Sequence, residues 1–267
     1  MAETLRMDLH ALPGSGEAHR EDDESAGHLT PHPGARLRTQ LGLAAHRPRV
    51  DTKTVAAPGR PDPRLVLLWD RESPQARSYR VLRHRLLNLD DPRVVGITSA
   101  QASEGKTSVA FNLAMAIAEE VVSRVLLVEA NVRSPVLAEL FDFVPPACFA
   151  EQTASLRSSD TLWSFAELSG TKLHIAAVEP SGSRPAFDRV LFGAAMAQLR
   201  HAYDYVIVDT PPALDSADVN VVAEGVDGLV FAARARKSSR RALAKAIAQV
   251  RPTPVLGLAL IESREAA

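Results

Sequence analysis

The 267 residues are 46% hydrophobic and 24% charged, the balance of a soluble globular chain with room for one large domain. Lys and Arg number 31 against 32 Asp and Glu, so the net charge of −1 lacks the basic excess of a general nucleic-acid binder. The one cysteine, Cys148, excludes an intramolecular disulfide framework. No apolar run approaches the roughly 18 residues of a membrane span, since the richest, Ala110–Ala118, is short and broken by Asn112.

Glu3, Asp8 and Glu17 interrupt the N-terminus too early for a secretory signal, so a cytoplasmic location is expected. Residues 1–63 hold five of the eight histidines, seven of the 18 prolines, the acidic run Glu21–Glu24 and a basic stretch through Arg36, Arg38, Arg47 and Arg49. No helical or strand period persists there, and such a segment buries too little apolar surface to offset its ordering entropy. It is expected to be a disordered tail. His28, His32 and His46 match no metal-ligand spacing.

From residue 64 onward the chain is periodic and reads as one nucleotide-binding domain over 64–267. Ser73-Pro74 through Leu87 reads as a helix, Val94–Thr98 as a buried strand, Lys106–Val122 as a helix and Arg124–Val128 as a strand. Leu173–Ala177 is a third strand, Phe187–His201 a helix and Tyr205–Asp209 a further buried strand. Gly228–Ala232, a helix over Ser238–Val250, and the strand Val255–Ile261 complete the pattern. Near-continuous aliphatic strands alternating with helices predict an α/β fold, a mostly parallel sheet with helices on both faces.

The sharpest signal follows the first of these strands: Ala100-Gln101-Ala102-Ser103-Glu104-Gly105-Lys106-Thr107. It departs from the phosphate-loop template G-x-x-x-x-G-K-[ST] only at its first position, and it sits between a strand and a helix as that loop must. Residues 102–108, ending in Ser108, are expected to cradle the phosphates of a nucleotide with backbone N–H groups. Lys106 supplies a charge to the β- and γ-phosphates and Thr107 a hydroxyl to Mg²⁺. Asp209 ends an apolar strand before Thr210-Pro211-Pro212, and Glu129 ends another before Ala130-Asn131-Val132-Arg133. Three strand ends thus converge on one P-loop NTPase site, with Lys106, Glu129 and Asp209 as catalytic candidates.

These motifs resemble the bacterial tyrosine kinases of capsule and exopolysaccharide synthesis, P-loop proteins related to the partitioning ATPases. The resemblance rests on Ser99–Ser108, on Val125–Arg133 with Pro135, on Tyr205–Pro212 and on Asp218. It extends to the Ser73–Leu87 helix and spans about Arg71–Ile261. It implies ATP and Mg²⁺ as cofactors, with Thr107, Asp209 and Glu129 around the metal and Arg133 beside the nucleotide. It also implies γ-phosphate transfer to tyrosine, and a membrane polysaccharide co-polymerase whose cytoplasmic segment activates the kinase at the inner face of the membrane.

Four departures bear on activity. The second motif reads Glu129-Ala-Asn131-Val-Arg133 where the family has D-x-D-x-R, which removes one carboxylate and displaces the other. Ser103 stands where Gly is usual, a cost if the backbone there needs positive φ. The chain ends without a tyrosine cluster and has only Tyr79, Tyr203 and Tyr205, of which Tyr205 falls in an expected buried strand, so tail autophosphorylation is not expected. Arg77 replaces a Glu ahead of Arg80 and Arg83, which weakens self-assembly through that helix and leaves either a solvated face or a basic patch for an acidic partner. Two alternatives stand beside the kinase. One is a partitioning or positioning ATPase, which would carry a second lysine where this chain has Gln101. The other is a non-enzymatic interaction module on the same fold.

Overall fold

The computed structural model describes residues 3–8, 47–120, 123–156, 161–180 and 186–263. Nine strands form one sheet: β1 (Glu3–Asp8), β2 (Arg49–Val55), β3 (Val94–Ser99), β4 (Val125–Glu129), β5 (Leu162–Leu168), β6 (Leu173–Ala176), β7 (Tyr205–Asp209), β8 (Gly228–Arg234) and β9 (Val255–Ser263). Their order is β1-β9-β8-β3-β7-β4-β6-β5-β2. Six of the eight pairings are parallel; β1 meets β9 and β5 meets β6 antiparallel. The helices are α1 (Val66–Trp69), α2 (Pro74–Leu87), α3 (Lys106–Ala118), α4 (Leu137–Leu140), α5 (Phe149–Ala154), α6 (Arg189–Ala202), α7 (Asp218–Glu224) and α8 (Arg240–Gln249).

The central strands are apolar on both faces, and alternation sorts their side chains into two cores. Val95, Ile97, Val125, Leu127, Ile207 and Val230 pack against α1, α2 and α3 through Leu67, Leu82, Leu86, Phe111 and Leu113. Val94, Leu126, Val128, Val206, Val208 and Phe231 face the other way, against Phe149, Phe192, Met196 and Leu199 of α5 and α6. Helix starts follow their capping residues. The Ser73 hydroxyl accepts from Ala76 N ahead of Pro74, and Asp188 accepts from Val190 N and Leu191 N.

Asn112, the residue that broke the apolar run, is fully buried in α3. Its Oδ1 accepts from Leu67 N (2.9 Å), and its Nδ2 donates to Arg64 O and Ser108 O (2.7 Å each). A buried carboxamide is stable only when so satisfied. This one fastens segment 64–67 onto the helix.

The expected tail through residue 63 is corrected at two places. Residues 3–8 and 49–55 are the two edge strands of the sheet. β2 escapes periodic reading because its sequence RVDTKTV has only two aliphatic residues, and Arg49, Asp51 and Lys53 are exposed. Charge of that kind protects an edge strand from further pairing. The acidic run 21–24 and His28, His32 and His46 lie outside the described residues. The reading of Tyr205 as buried is also revised: Tyr205 is half-buried, whereas Tyr79 and Tyr203 are the buried pair.

The arginines of α2 do not form an unpaired patch. Arg80 makes a bidentate pair with Glu119 (2.8 and 2.7 Å), and Arg83 donates to Ala116 O (2.8 Å), both at the C-terminal end of α3. Arg77 alone of the three is exposed.

Candidate functional site: a phosphate loop at three strand ends

β3, β7 and β4 are neighbours, so the three motif-bearing strand ends meet side by side. Glu129 and Asp209 are register partners across β4 and β7. β3 lies between β7 and β8, and the chain crosses from one side of it to the other, the kind of place where α/β sheets bind ligands.

Residues 100–105 turn the chain from β3 into α3. Ser103 lies at φ 63°, so the departure from Gly does place a side chain in left-handed backbone. Gly105 is the N-cap at φ 93°, and no side chain caps α3. The first N–H groups of a 13-residue helix are therefore open to an anion, with the positive end of the helix dipole behind them. A Cβ on Gly105 would also collide with Ile261 Cδ1. Gly105→Ala is expected to lose about 1–2 kcal/mol to the left-handed backbone, with the Ile261 Cδ1 methyl, the free end of its side chain, shifting aside. A urea midpoint equal to wild type would contradict this.

Asp209 is fully buried. Its Oδ2 accepts from Thr107 Oγ1 (2.7 Å), while Oδ1 has no hydrogen-bond partner. Burial pushes its carboxyl up, opposed by the Lys106 charge and the Thr107 hydrogen bond. An orphaned carboxylate oxygen beside a hydroxyl is a hard-oxygen donor set, and it fits Mg²⁺, which keeps several waters and takes few protein ligands. Among the described residues no group of three or more His, Cys, Asp and Glu side chains gathers as a metal site.

Glu129 is placed differently. Its Oε1 accepts from Val136 N (2.5 Å) and Leu137 N (2.9 Å), and Oε2 accepts from Val178 N (2.9 Å). Both oxygens are committed to backbone donors from two distant loops. Burial pushes this carboxyl up to about 7, against the three donors and with Asp209 adding to the rise. Glu129 holds the loops that follow β4 and β6, and the structure does not present it to the phosphate loop as a free ligand.

Ala102 to Ser108 share the one turn, but two of the loop's polar groups serve the loop itself. Glu104 is buried; its Oε2 accepts from Gln101 N (2.9 Å) and its Oε1 from the Ser238 hydroxyl. The Ala102 amide is taken by Asp215 Oδ2 (2.9 Å). Asp215 and Ser238 carry no motif, and nothing in their local sequence signals a role at the loop. Arg133 stands outside the loop, 69% exposed, with its Nε 2.7 Å from Asp218 Oδ2; that pair joins the turn after β4 to the start of α7. Beside α3, a cleft of about 570 Å³ is lined by Pro63, Arg64, Trp69, Ser108 and Arg234 among others.

No protein-family profile matches the chain. A curated relative, the tyrosine-protein kinase YwqD of Bacillus subtilis, is 30% identical over 194 residues, 68% of this chain and 78% of that protein. The chain belongs to the bacterial tyrosine-kinase family. A second relative of this tyrosine kinase homologue is the succinoglycan biosynthesis transport protein ExoP of Rhizobium meliloti, 28% identical over 162 residues, 58% of this chain and 20% of that protein. The kinase domain of the Escherichia coli tyrosine kinase ETK shares the fold, with a TM-score of 0.60 at 19% identity over 86% of this chain and 95% of that one. No helix among the described residues of this family member is long and apolar enough to cross a membrane.

Proposed function

We propose that this chain binds Mg·ATP on residues 102–108 and acts in capsule or exopolysaccharide synthesis as a protein-tyrosine kinase whose acceptors lie on other polypeptides. The observation that carries this reading is the orphaned, buried Asp209 Oδ1 beside the Thr107 hydroxyl, at the uncapped start of α3. Backbone N–H groups of the first turn hold phosphate oxygens, and Lys106 balances the β- and γ-phosphate charge. Thr107 and Asp209 would hold Mg²⁺, which supplies charge neutralisation between those phosphates. The cleft at Ser108, walled by Trp69, receives the nucleoside.

Transfer joins the tyrosine oxygen to the γ-phosphorus and breaks its bond to the bridging oxygen, releasing ADP; the phenolic proton needs an acceptor. Glu129 is already committed through both oxygens, so this step is slow unless the loops at 136–137 and 178 release it. That commitment supports a second reading: a nucleotide-gated regulator of a membrane co-polymerase, acting at the inner face of the membrane with little transfer of its own.

Calorimetry with Mg·ATP, run beside γ-phosphate transfer to the co-polymerase's cytoplasmic segment and to the chain itself, separates the readings. Binding with transfer supports the kinase, binding without it supports the regulator, and no binding removes both. Trp69 is 40% exposed in the cleft while Trp163 is fully buried, so quenching of tryptophan emission on binding would assign the nucleoside to that cleft.

A further inference from the structure

Between Asp227 and Glu262 the chain has seven cations, Arg234, Arg236, Lys237, Arg240, Arg241, Lys245 and Arg251, and no acid, in a protein whose net charge is −1. Five of them follow one another along one exposed turn and the helix after it. Arg236 and Lys237 lie in the turn after β8, and Arg240, Arg241 and Lys245 lie on α8; all five are exposed. Among the described residues none of the five enters a salt bridge. Arg241 and Lys245, four apart, share a helix face. Arg240 and Arg241 occupy the first turn of α8, where the helix dipole disfavours cations, and Arg236 holds left-handed backbone at φ 63°. The fold keeps these charges together at a cost it does not offset internally.

We propose that this surface docks on the anionic headgroups of a lipid bilayer. The patch offers point charges and little else. Ser238 and Ser239 are engaged with Glu104 and with Ala242 N. No large exposed apolar side chain lies between residues 234 and 251. A peptide ligand would need pockets for its side chains, and a nucleic acid read or stacked at its bases would need amides or aromatics; duplex phosphates, like a plane of headgroups, need only charge, but a general duplex binder carries a basic excess that a net charge of −1 lacks. The inference stands apart from the nucleotide reading. Its structural consequence is orientation: Ser238 ties the cationic turn to Glu104 of the phosphate loop, so docking sets the C-terminal ends of β8 and β3 toward the bilayer.

The test is flotation of the full chain with phosphatidylcholine vesicles, with and without about a third phosphatidylserine. Binding is expected only with the anionic lipid, and it weakens as salt rises. Arg240→Gln, Arg241→Gln and Lys245→Gln together should weaken partition about 100-fold. The same charge change at the exposed Arg49, Lys53 and Arg77 should leave it within a few-fold. Circular dichroism melting checks that both variants fold. Equal binding to neutral vesicles, equal losses in the two variants, or tighter capture of duplex DNA through Arg240, Arg241 and Lys245 would each overturn the proposal.

Discussion

Lys106→Ala is expected to abolish Mg·ATP binding while the fold survives. Lys106 opens α3, where alanine is a good helix former, and its side chain is only half-buried, so removal leaves no large cavity. The loss in binding has two sources. Each hydrogen bond from the ammonium to a phosphate contributes about 1.5–3 kcal/mol, so one contact alone changes Kd by about tenfold or more. The Lys106 charge also holds down the Asp209 carboxyl against the upward push of burial. Without it Asp209 shifts further toward its neutral form, and the metal site fails together with the phosphate site. Calorimetry and thermal melting of the variant check both halves; an unchanged Kd would sink the site assignment.

The second large effect belongs to Glu129. Glu129→Ala strands three N–H donors, those of Val136, Leu137 and Val178, two of them in fully buried bonds. At about 1–3 kcal/mol for each unmet buried donor, a loss of about 3 kcal/mol or more is expected. The wild-type residue also predicts a pH dependence. Its carboxyl is raised to about 7 by burial, so between about 4.5 and 7 the native state holds a proton that the unfolded chain has released. Stability therefore falls as pH rises through that window, by on the order of 3 kcal/mol for a shift of this size. Asp209, also raised by burial, acts in the same direction. Glu129→Gln should flatten the slope, at the cost of setting an amide donor against Val178 N–H. Urea unfolding at pH 5 and pH 7.5 would decide it; wild type gaining stability with rising pH would refute the assignment.

How legible each part was depended on whether its reason was local. β3 and β7 stand out because burial on both faces demands a continuous aliphatic run, and each ends on a polar residue with a motif attached. The phosphate loop was legible down to the left-handed residue at Ser103. β5 carries no clear strand signal because Ser164 and Glu167 interrupt its apolar residues, and β2 carries none because an edge strand needs little apolar surface. Among the site residues, sequence could set Glu129 at a strand end but not the direction of its carboxylate. That direction is fixed by amides seven, eight and 49 residues away. Asp215 and Ser238 escaped for the same reason, since each reaches the loop from more than 100 residues along the chain. Arg80 and Arg83 read as a free basic row until Glu119 and Ala116 O came alongside.

The Asn112 carboxamide, by gripping Leu67 N, Arg64 O and Ser108 O at once, makes the first turns of α3 and the start of α1 with the residues just before it a single lever arm. Any tilt of α3 as its first turn closes on a ligand would carry Trp69 with it. At the other end of the same helix, Arg80 and Arg83 grip its last turn and would drag α2 along. Motion that starts at the phosphates thus has a stiff route to the outer face of α2, where Arg77 meets solvent.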